Sequence, residues 1–204
     1  MKKKKTPIAV GILLSAMCVS LSACKEEPKE TQVQTEATVE TSQESDTETA
    51  GEAVFGNFTS QTLEGDEVDQ SIFEDADLTM VNIWGTFCGP CINEMPDLGE
   101  ISREYADQGV QIVGMLSDVV LPPDGSKPDT STASEIVEAT SADYTHILLS
   151  EDLYYGYMGE VQVVPTTVVV DKNGEEVGVY TGSKSKEDWM SIIDELLGKV
   201  SDEA

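Results

Sequence analysis

Basic charge is scarce in this chain. Its 204 residues carry 12 Lys and Arg against 39 Asp and Glu, for a net charge of −27. A surface of that sign repels phosphate, which excludes nucleic acid and anionic lipid headgroups as partners. The acidity reads as a solvated, self-repelling surface that keeps a domain soluble, with electrostatic steering of a substrate as the alternative. Histidine is scarcer still, with His146 the only one. A structural zinc site takes about four nitrogen or sulfur ligands, and one histidine beside a single mature cysteine pair does not supply them. Arginine is likewise single, at Arg103. Long apolar runs are also missing: residues 8–21 are apolar but interrupted by Gly11, Ser15 and Ser20. A comfortable membrane span needs about 20 apolar residues.

What stands at the N-terminus is an export signal. Lys2, Lys3, Lys4 and Lys5 precede the short apolar stretch, the order of a basic n-region and an h-region. Leu21-Ser22-Ala23-Cys24 resembles the lipobox of bacterial lipoproteins. That resemblance implies cleavage behind Ala23 and a diacylglyceryl group on Cys24. An uncleaved anchor or an ordinary secretory signal is the alternative, and each exports the rest of the chain. Losing the four lysines and no acid takes −27 to −31. Of the 4 cysteines, Cys18 then leaves with the signal and Cys24 carries lipid, so Cys88 and Cys91 remain as thiols. Residues 25–52 are rich in Glu, Thr, Gln and Ser and bury too little apolar surface to offset chain entropy. They read as a disordered tether holding the domain roughly 30 Å from its anchor. The expected organisation is therefore a signal over 1–23, an acylated cysteine and acidic tether over 24–52, and one folded domain over 53–204.

The domain is organised around Trp84-Gly85-Thr86-Phe87-Cys88-Gly89-Pro90-Cys91. Residues 79–83 read as a buried strand, and the segment through residue 98 opens a helix. A Cys-x-x-Cys pair at a strand-to-helix junction is a redox site. The first cysteine meets unpaired backbone N–H groups and the positive end of the helix dipole, which favour its thiolate. Cys88 is therefore the expected nucleophile and Cys91 the resolving thiol. Pro90 suits the first helical turn, where its missing N–H costs nothing. Haem attachment needs His after the second cysteine, where Ile92 stands. A structural disulfide stays open, although a four-residue loop gains little from closure.

The remaining pattern is α/β. A hairpin over 55–59 and 67–69 leads in, around a turn at 63–66. The helix should reach Asp107 with a kink at Pro96, and Gly109 should stop it. Residues 110–116 then form a parallel, right-handed β-α-β partner strand. The stretch 118–132, with Pro122, Pro123 and Pro128, reads as a long loop that either borders the active site or is a variable insertion. Ser134 is the expected cap of a helix through Ala139, followed by a strand at 146–149 and a helix over 151–158. His146 has little claim as a catalytic base, lying far from the cysteines in sequence. Pro165 breaks an apolar run, so the next strand begins at Thr166. A turn at 171–174 leads to a strand at 176–180, and 186–197 is a closing amphipathic helix.

These residues resemble the thioredoxin-like proteins, specifically the membrane-anchored TlpA/ResA-type thiol-disulfide oxidoreductases, over about residues 54–198. The marks are the motif at 84–91, Glu94-Met95-Pro96, and Val164-Pro165-Thr166-Thr167 before Asp171-Lys172-Asn173-Gly174. The resemblance implies a central mixed β-sheet flanked by helices, with the N-terminal hairpin as an extension. It makes Pro165 a cis-proline facing the cysteines and Val164 a backbone partner for substrate. Trp84, Phe87 and Thr166 join Val164 as expected substrate-binding residues. Phe87 stands where the family usually has Trp. The buried acid of thioredoxins is replaced by Asn82, and the family pattern gives Glu94 the acid–base role, one turn beyond Cys91; an ordinary solvated helix residue is the alternative. The implied redox group is the Cys88–Cys91 disulfide, with no cofactor and no metal. Implied partners are disulfide-containing exported proteins and a membrane thiol donor of CcdA or DsbD type, at the extracytoplasmic face of the cell membrane. A thiol peroxidase on the same fold, or a non-catalytic substrate-binding lipoprotein, are the competing functions. Reduction and oxidation of exported thiols use the same residues, and potential decides between them.

Overall fold

The computed structural model describes residues 52–202. The expected signal, the acylated Cys24 and the tether up to residue 51 lie outside the described residues. Among the described residues, no helix is long and apolar enough to cross a membrane.

Among the described residues, seven strands and four α-helices follow in the order β1 (Thr59–Gln61), β2 (Glu67–Asp69), β3 (Leu78–Trp84), α1 (Gly89–Tyr105), β4 (Val110–Val120), α2 (Ser131–Thr140), β5 (Thr145–Leu149), α3 (Glu151–Gly156), β6 (Thr166–Asp171), β7 (Glu176–Thr181) and α4 (Lys186–Asp202). Five of them form one sheet in the order β5-β4-β3-β6-β7. β3, β4 and β5 are parallel; β6 runs antiparallel to β3, and β7 antiparallel to β6. This is the expected thioredoxin-like mixed sheet, with β3 at its centre and every β3 residue buried.

Alternation along the strands divides the core in two. Met80, Trp84, Ile112, Leu116, Leu148 and Val169 face one side, where Met95, Leu98 and Ile101 of α1 and Trp189, Ile193 and Leu196 of α4 cover them. Val81, Ile83, Val113, Met115, Val168 and Val170 face the other, against Phe55, Phe58, Phe73, Leu153 and Tyr157. Each such side chain contributes roughly 1.5–3 kcal/mol on burial, so both layers are needed to hold β3 at the centre.

Several boundaries move from the sequence reading, each for a physical reason. The lead-in strand starts at Thr59 rather than residue 55, because Phe55 and Phe58 turn inward onto Phe73 and, for Phe55, Tyr157. α1 ends at Tyr105, and the last residues before the stop form a 3-10 turn, Ala106–Gln108, ended by left-handed Gly109 at φ 79°. β4 continues to Val120 across part of the expected loop, because Val120 pairs with Leu149 and Leu121 N–H bonds the Leu149 carbonyl. α2 starts at Ser131, so Ser134 lies inside it; Asp129 accepts the Ser131 N–H and hydroxyl just before the first turn. The helix expected over 151–158 divides into α3 and a 3-10 turn, Met158–Glu160.

Candidate active site

The junction between β3 and α1 carries the cysteines. Cys88 is the N-cap of α1, and its sulfur accepts the Cys91 N–H at 3.2 Å. The two form a disulfide with an S–S distance of 2.04 Å. Cys88 is 5% exposed and Cys91 fully buried, so an incoming sulfur meets Cys88 first. The loop before them is tied to the end of β4. Asp118 accepts the Thr86 N–H and hydroxyl, and the Ser117 hydroxyl donates to the Trp84 carbonyl. Phe87 stands 72% exposed beside Cys88.

Across from this junction, the register Ile83↔Thr166 brings the start of β6 beside the end of β3. The Val164–Pro165 bond is cis, as the resemblance implied. The Pro165 carbonyl accepts the Gly182 N–H, and the Thr166 hydroxyl donates to the Val163 carbonyl at 2.7 Å. Val164 is half-buried and packs against the cluster that holds Cys88 and Cys91. Two expected substrate contacts are corrected here. Trp84 is fully buried, and Thr166 is 4% exposed with its hydroxyl already committed. Neither side chain presents a surface to a substrate. Phe87 is 72% exposed and Val163 51%.

Beneath the disulfide, the sheet carries a polar row, interrupted only at Gly114. Asn82 on β3 pairs with Gly114 on β4 and Thr167 on β6; Gly114 pairs with His146 on β5, and Thr167 with Tyr180 on β7. Glu94, one turn beyond Cys91, comes down onto this row. It is 3% exposed, which sets aside the solvated-residue alternative. One carboxylate oxygen accepts from Asn82 Nδ2 at 3.1 Å. The other accepts the Lys184 backbone N–H at 3.0 Å and the Trp189 indole N–H at 3.4 Å. Burial pushes the Glu94 pKa above its ordinary value, and the donors Lys184, Asn82 and Trp189, with the Lys184 charge, pull against that. The Lys184 ammonium lies over the Trp189 ring, 5.4 Å from its centroid.

His146 takes a place its sequence position did not suggest. Its Nδ1 accepts the Trp84 indole N–H at 3.2 Å, and its Nε2 lies 2.8 Å from the Ala142 carbonyl. The carbonyl requires a proton on Nε2 and the indole requires a bare Nδ1, so the ring is neutral in one tautomer. Burial lowers its pKa to about 4. Gly114 makes room for it, since a Cβ there would overlap the imidazole and touch the Trp84 indole. A glycine inside an otherwise apolar strand was the sequence signal of that close approach. Tyr144 stacks 4.5 Å from the His146 ring, and its buried hydroxyl has no hydrogen-bond partner among the described groups. Thr167, Trp189 and the Lys184 N–H were also missed, because each meets Glu94 or Asn82 from a distant part of the chain. No group of three or more His, Cys, Asp or Glu comes together as a metal cluster among the described residues.

Comparison with known proteins agrees with this geometry. The sequence matches the Redoxin family over residues 49–197. It is 29% identical over 147 residues to thiol-disulfide oxidoreductase ResA of Halalkalibacterium halodurans, covering 71% of this chain and 77% of that protein. It is 32% identical over 108 residues to ResA of Geobacillus kaustophilus, covering 53% of this chain and 56% of that one. In structure it resembles a thiol:disulfide interchange protein of the thioredoxin family from Chlorobium tepidum, with a TM-score of 0.59 at 22% identity, over 75% of this chain and 99% of that one. The last of these bears on the fold alone. With the cysteine pair at the head of α1 and the family match spanning the whole described sheet, the chain belongs to the Redoxin family.

Proposed function

We propose that the protein is a membrane-anchored, extracytoplasmic enzyme that reduces disulfides of exported proteins. At the coarser level it is a thiol-disulfide oxidoreductase. The observation that carries the reading is the unequal pair at the head of α1, an N-capping Cys88 and a fully buried Cys91 with Glu94 one turn below.

In the reduced enzyme the Cys88 thiolate, favoured by the Cys91 N–H and the helix dipole, attacks one sulfur of a substrate disulfide. The substrate S–S bond breaks, a mixed disulfide forms, and one substrate thiolate leaves. Cys91 then gives its proton to the Glu94 carboxylate and attacks the Cys88 sulfur. The internal disulfide forms and the second substrate thiolate leaves, so two electrons pass from enzyme to substrate. A buried carboxyl with a raised pKa suits this proton exchange, a kind of step worth about 10²–10⁴-fold. Phe87, Val164 and Pro165 would flank the substrate cysteine, with the Val164 backbone pairing to an extended segment. A membrane thiol donor of CcdA or DsbD type would return the two electrons, and acylated Cys24 would hold the enzyme at the membrane.

The peroxidase alternative needs an arginine at the peroxidatic cysteine. Arg103 sits in the last turn of α1, bound to Asp143 and the Ser141 carbonyl, roughly 20 Å along the helix from Cys88. The binding-protein alternative requires client binding that survives loss of both thiols. Insulin-disulfide reduction measured beside peroxide consumption tests all three. Reduction that requires Cys88, with no peroxide turnover, is expected. Peroxide consumption without disulfide reduction overturns the proposal, as does client binding by a double Cys→Ser variant with no exchange in the wild type. Cys24→Ala should release the chain from membranes, and unchanged retention with unchanged mass removes the lipid anchor.

A further inference from the structure

Among the described residues, every hydrogen-bond partner of the Glu94 carboxyl is a donor: Asn82 Nδ2 on one oxygen, the Lys184 N–H and the Trp189 indole on the other. That set suits a carboxylate. It does not suit the protonated acid, whose own O–H would face an N–H on either side. If Glu94 takes the Cys91 proton, something around it has to become an acceptor. The Lys184 backbone and the Trp189 ring have no acceptor to offer there. Asn82 does, since its amide carries a donor and an acceptor of nearly the same shape, exchanged by a half-turn about its last side-chain bond.

The surroundings of Asn82 leave that half-turn open. The side chain is fully buried, and both bonds it makes come from Nδ2, to Glu94 and to the Thr167 hydroxyl at 3.0 Å. Its Oδ1 accepts no hydrogen bond from any described group, so nothing on that side fixes the orientation. The Thr167 hydroxyl accepts or donates by rotating its own hydrogen.

We propose that the Asn82 amide inverts with the protonation state of Glu94, making Asn82 and Thr167 positioning residues for the Cys91 proton. This rests on the proposed role of Glu94 in thiol–disulfide exchange. With Glu94 ionised, Nδ2 donates to the carboxylate and to Thr167, as in the structure. When the Cys91 S–H proton moves to Glu94, the amide turns. Oδ1 then accepts from the Glu94 O–H and from the Thr167 O–H through its two lone pairs. The NH₂ now points where Oδ1 lay and loses both acceptors, and that cost turns the amide back once the proton leaves. The carboxyl is thereby held in place in both states.

The other charges facing Glu94 define the test conditions. Cys88 and Cys91 lie on its own helix, Lys184 precedes α4, and the Tyr144 hydroxyl feels the Glu94 charge from the start of β5. Lys186 is engaged by Glu100 and Glu104. Burial and the Glu94 charge hold the Tyr144 proton, and burial keeps His146 neutral down to about pH 4, so above that pH Glu94 and the thiols are the groups that change near the site. The experiment is NMR of the full reduced chain with ¹³C and ¹⁵N labels. The Glu94 carboxyl carbon reports its titration, and cross-relaxation between the Asn82 NH₂ protons and the Thr167 methyl reports the amide. That contact should be present above the Glu94 midpoint, lost below it, and share its midpoint. Glu94→Gln places an NH₂ or a carbonyl permanently opposite Asn82. With the Gln carbonyl taken by Lys184 and Trp189, its NH₂ should hold the inverted amide at every pH. A contact unchanged through the Glu94 midpoint overturns the inference, as does a Glu94→Gln chain with the wild-type contact. Insulin reduction by the same samples reads the function separately. An inactive chain whose amide inverts would sink the functional reading alone, and an active chain with a fixed amide would sink this one alone.

Discussion

The two faces of one sheet differ sharply, although the same strands build both. On the face under Phe55 and Phe58, Val81, Ile83, Val113, Met115, Val168 and Val170 form a layer that is apolar apart from Thr79 and Thr166, whose buried hydroxyls are hydrogen-bonded to Gln111 and to the Val163 carbonyl. On the face under α1, the same strands contribute Asn82, His146 and Thr167, all buried. Buried polar groups cost stability unless they are hydrogen-bonded. Here the network leaves Asn82 Oδ1 and the Tyr144 hydroxyl without partners. A face built only for stability would resemble the other one. The polar face lies directly below the disulfide and meets Glu94, so the asymmetry follows the chemistry.

The largest effects should come from the cysteines above the polar face. Cys91→Ser is expected to accumulate mixed disulfides with substrate, because attack by Cys88 proceeds and resolution does not. Cys88→Ser should form none and lose turnover altogether. Trapping on non-reducing gels reads both, and mixed disulfides through Cys91 would reverse the assignment.

Next in size is a change to the apolar face. Phe58 is 2% exposed, so Phe58→Ala should cost roughly 3–5 kcal/mol of folding stability. It should leave the pH profile of thiol alkylation where it was, measured below the variant's melting temperature. A shifted profile would mean that the two faces are coupled. Glu94→Gln should do the opposite, slowing resolution by about 10²-fold or more while the fold persists. Stopped-flow measurement of the second exchange step separates that loss from any change in the first. Wild-type rates with an unshifted alkylation profile would leave Glu94 a buried bystander.

Much of the frame was legible because it depends on local pattern. The motif at 84–91, the strand on each side of α1, the break at Pro165 and the amphipathic α4 all follow from spacing and turn chemistry. The polar network was not, because it depends on register. Trp84 and His146 are 62 residues apart, and Glu94 and Trp189 are 95 apart. No periodicity says that Asn82, Gly114 and His146 fall on one line across three strands. Asn82 was read as a missing acid, when its position under Glu94 makes it that carboxyl's partner. Trp84 was read as a substrate contact from the family resemblance; the pleat turns it inward.

The smallest predicted effect tests whether His146 belongs to the polar face as structure or as chemistry. Its folded pKa of about 4 lies below the ordinary 6.5. Between those values the unfolded chain binds a proton that the folded chain refuses. Its contribution is therefore complete above pH 6.5 and is lost as pH falls toward 4. At pH 5 the loss should be about 2 kcal/mol. Glu94 opposes this, because its pKa is raised on folding. Its contribution is complete at low pH and is lost as pH rises through the folded value. The two slopes act against each other in the wild type, so the measurement belongs in a Glu94→Gln background. The chain has a single histidine, so the slope left between pH 6.5 and 5 is assigned to His146 by comparison with the same background carrying His146→Gln. Gln can still accept from the Trp84 indole and donate to the Ala142 carbonyl, and it should abolish the slope while keeping stability at pH 7 close to the parent. His146→Phe also abolishes the slope, but it leaves the indole N–H unpaired and should cost about 1–3 kcal/mol at every pH. Chemical denaturation at steps of half a pH unit reads all three. A slope that persists in both variants would place the titration elsewhere. Loss of insulin reduction in His146→Gln at pH 7, with stability intact, would give His146 a part in the chemistry beyond holding Trp84.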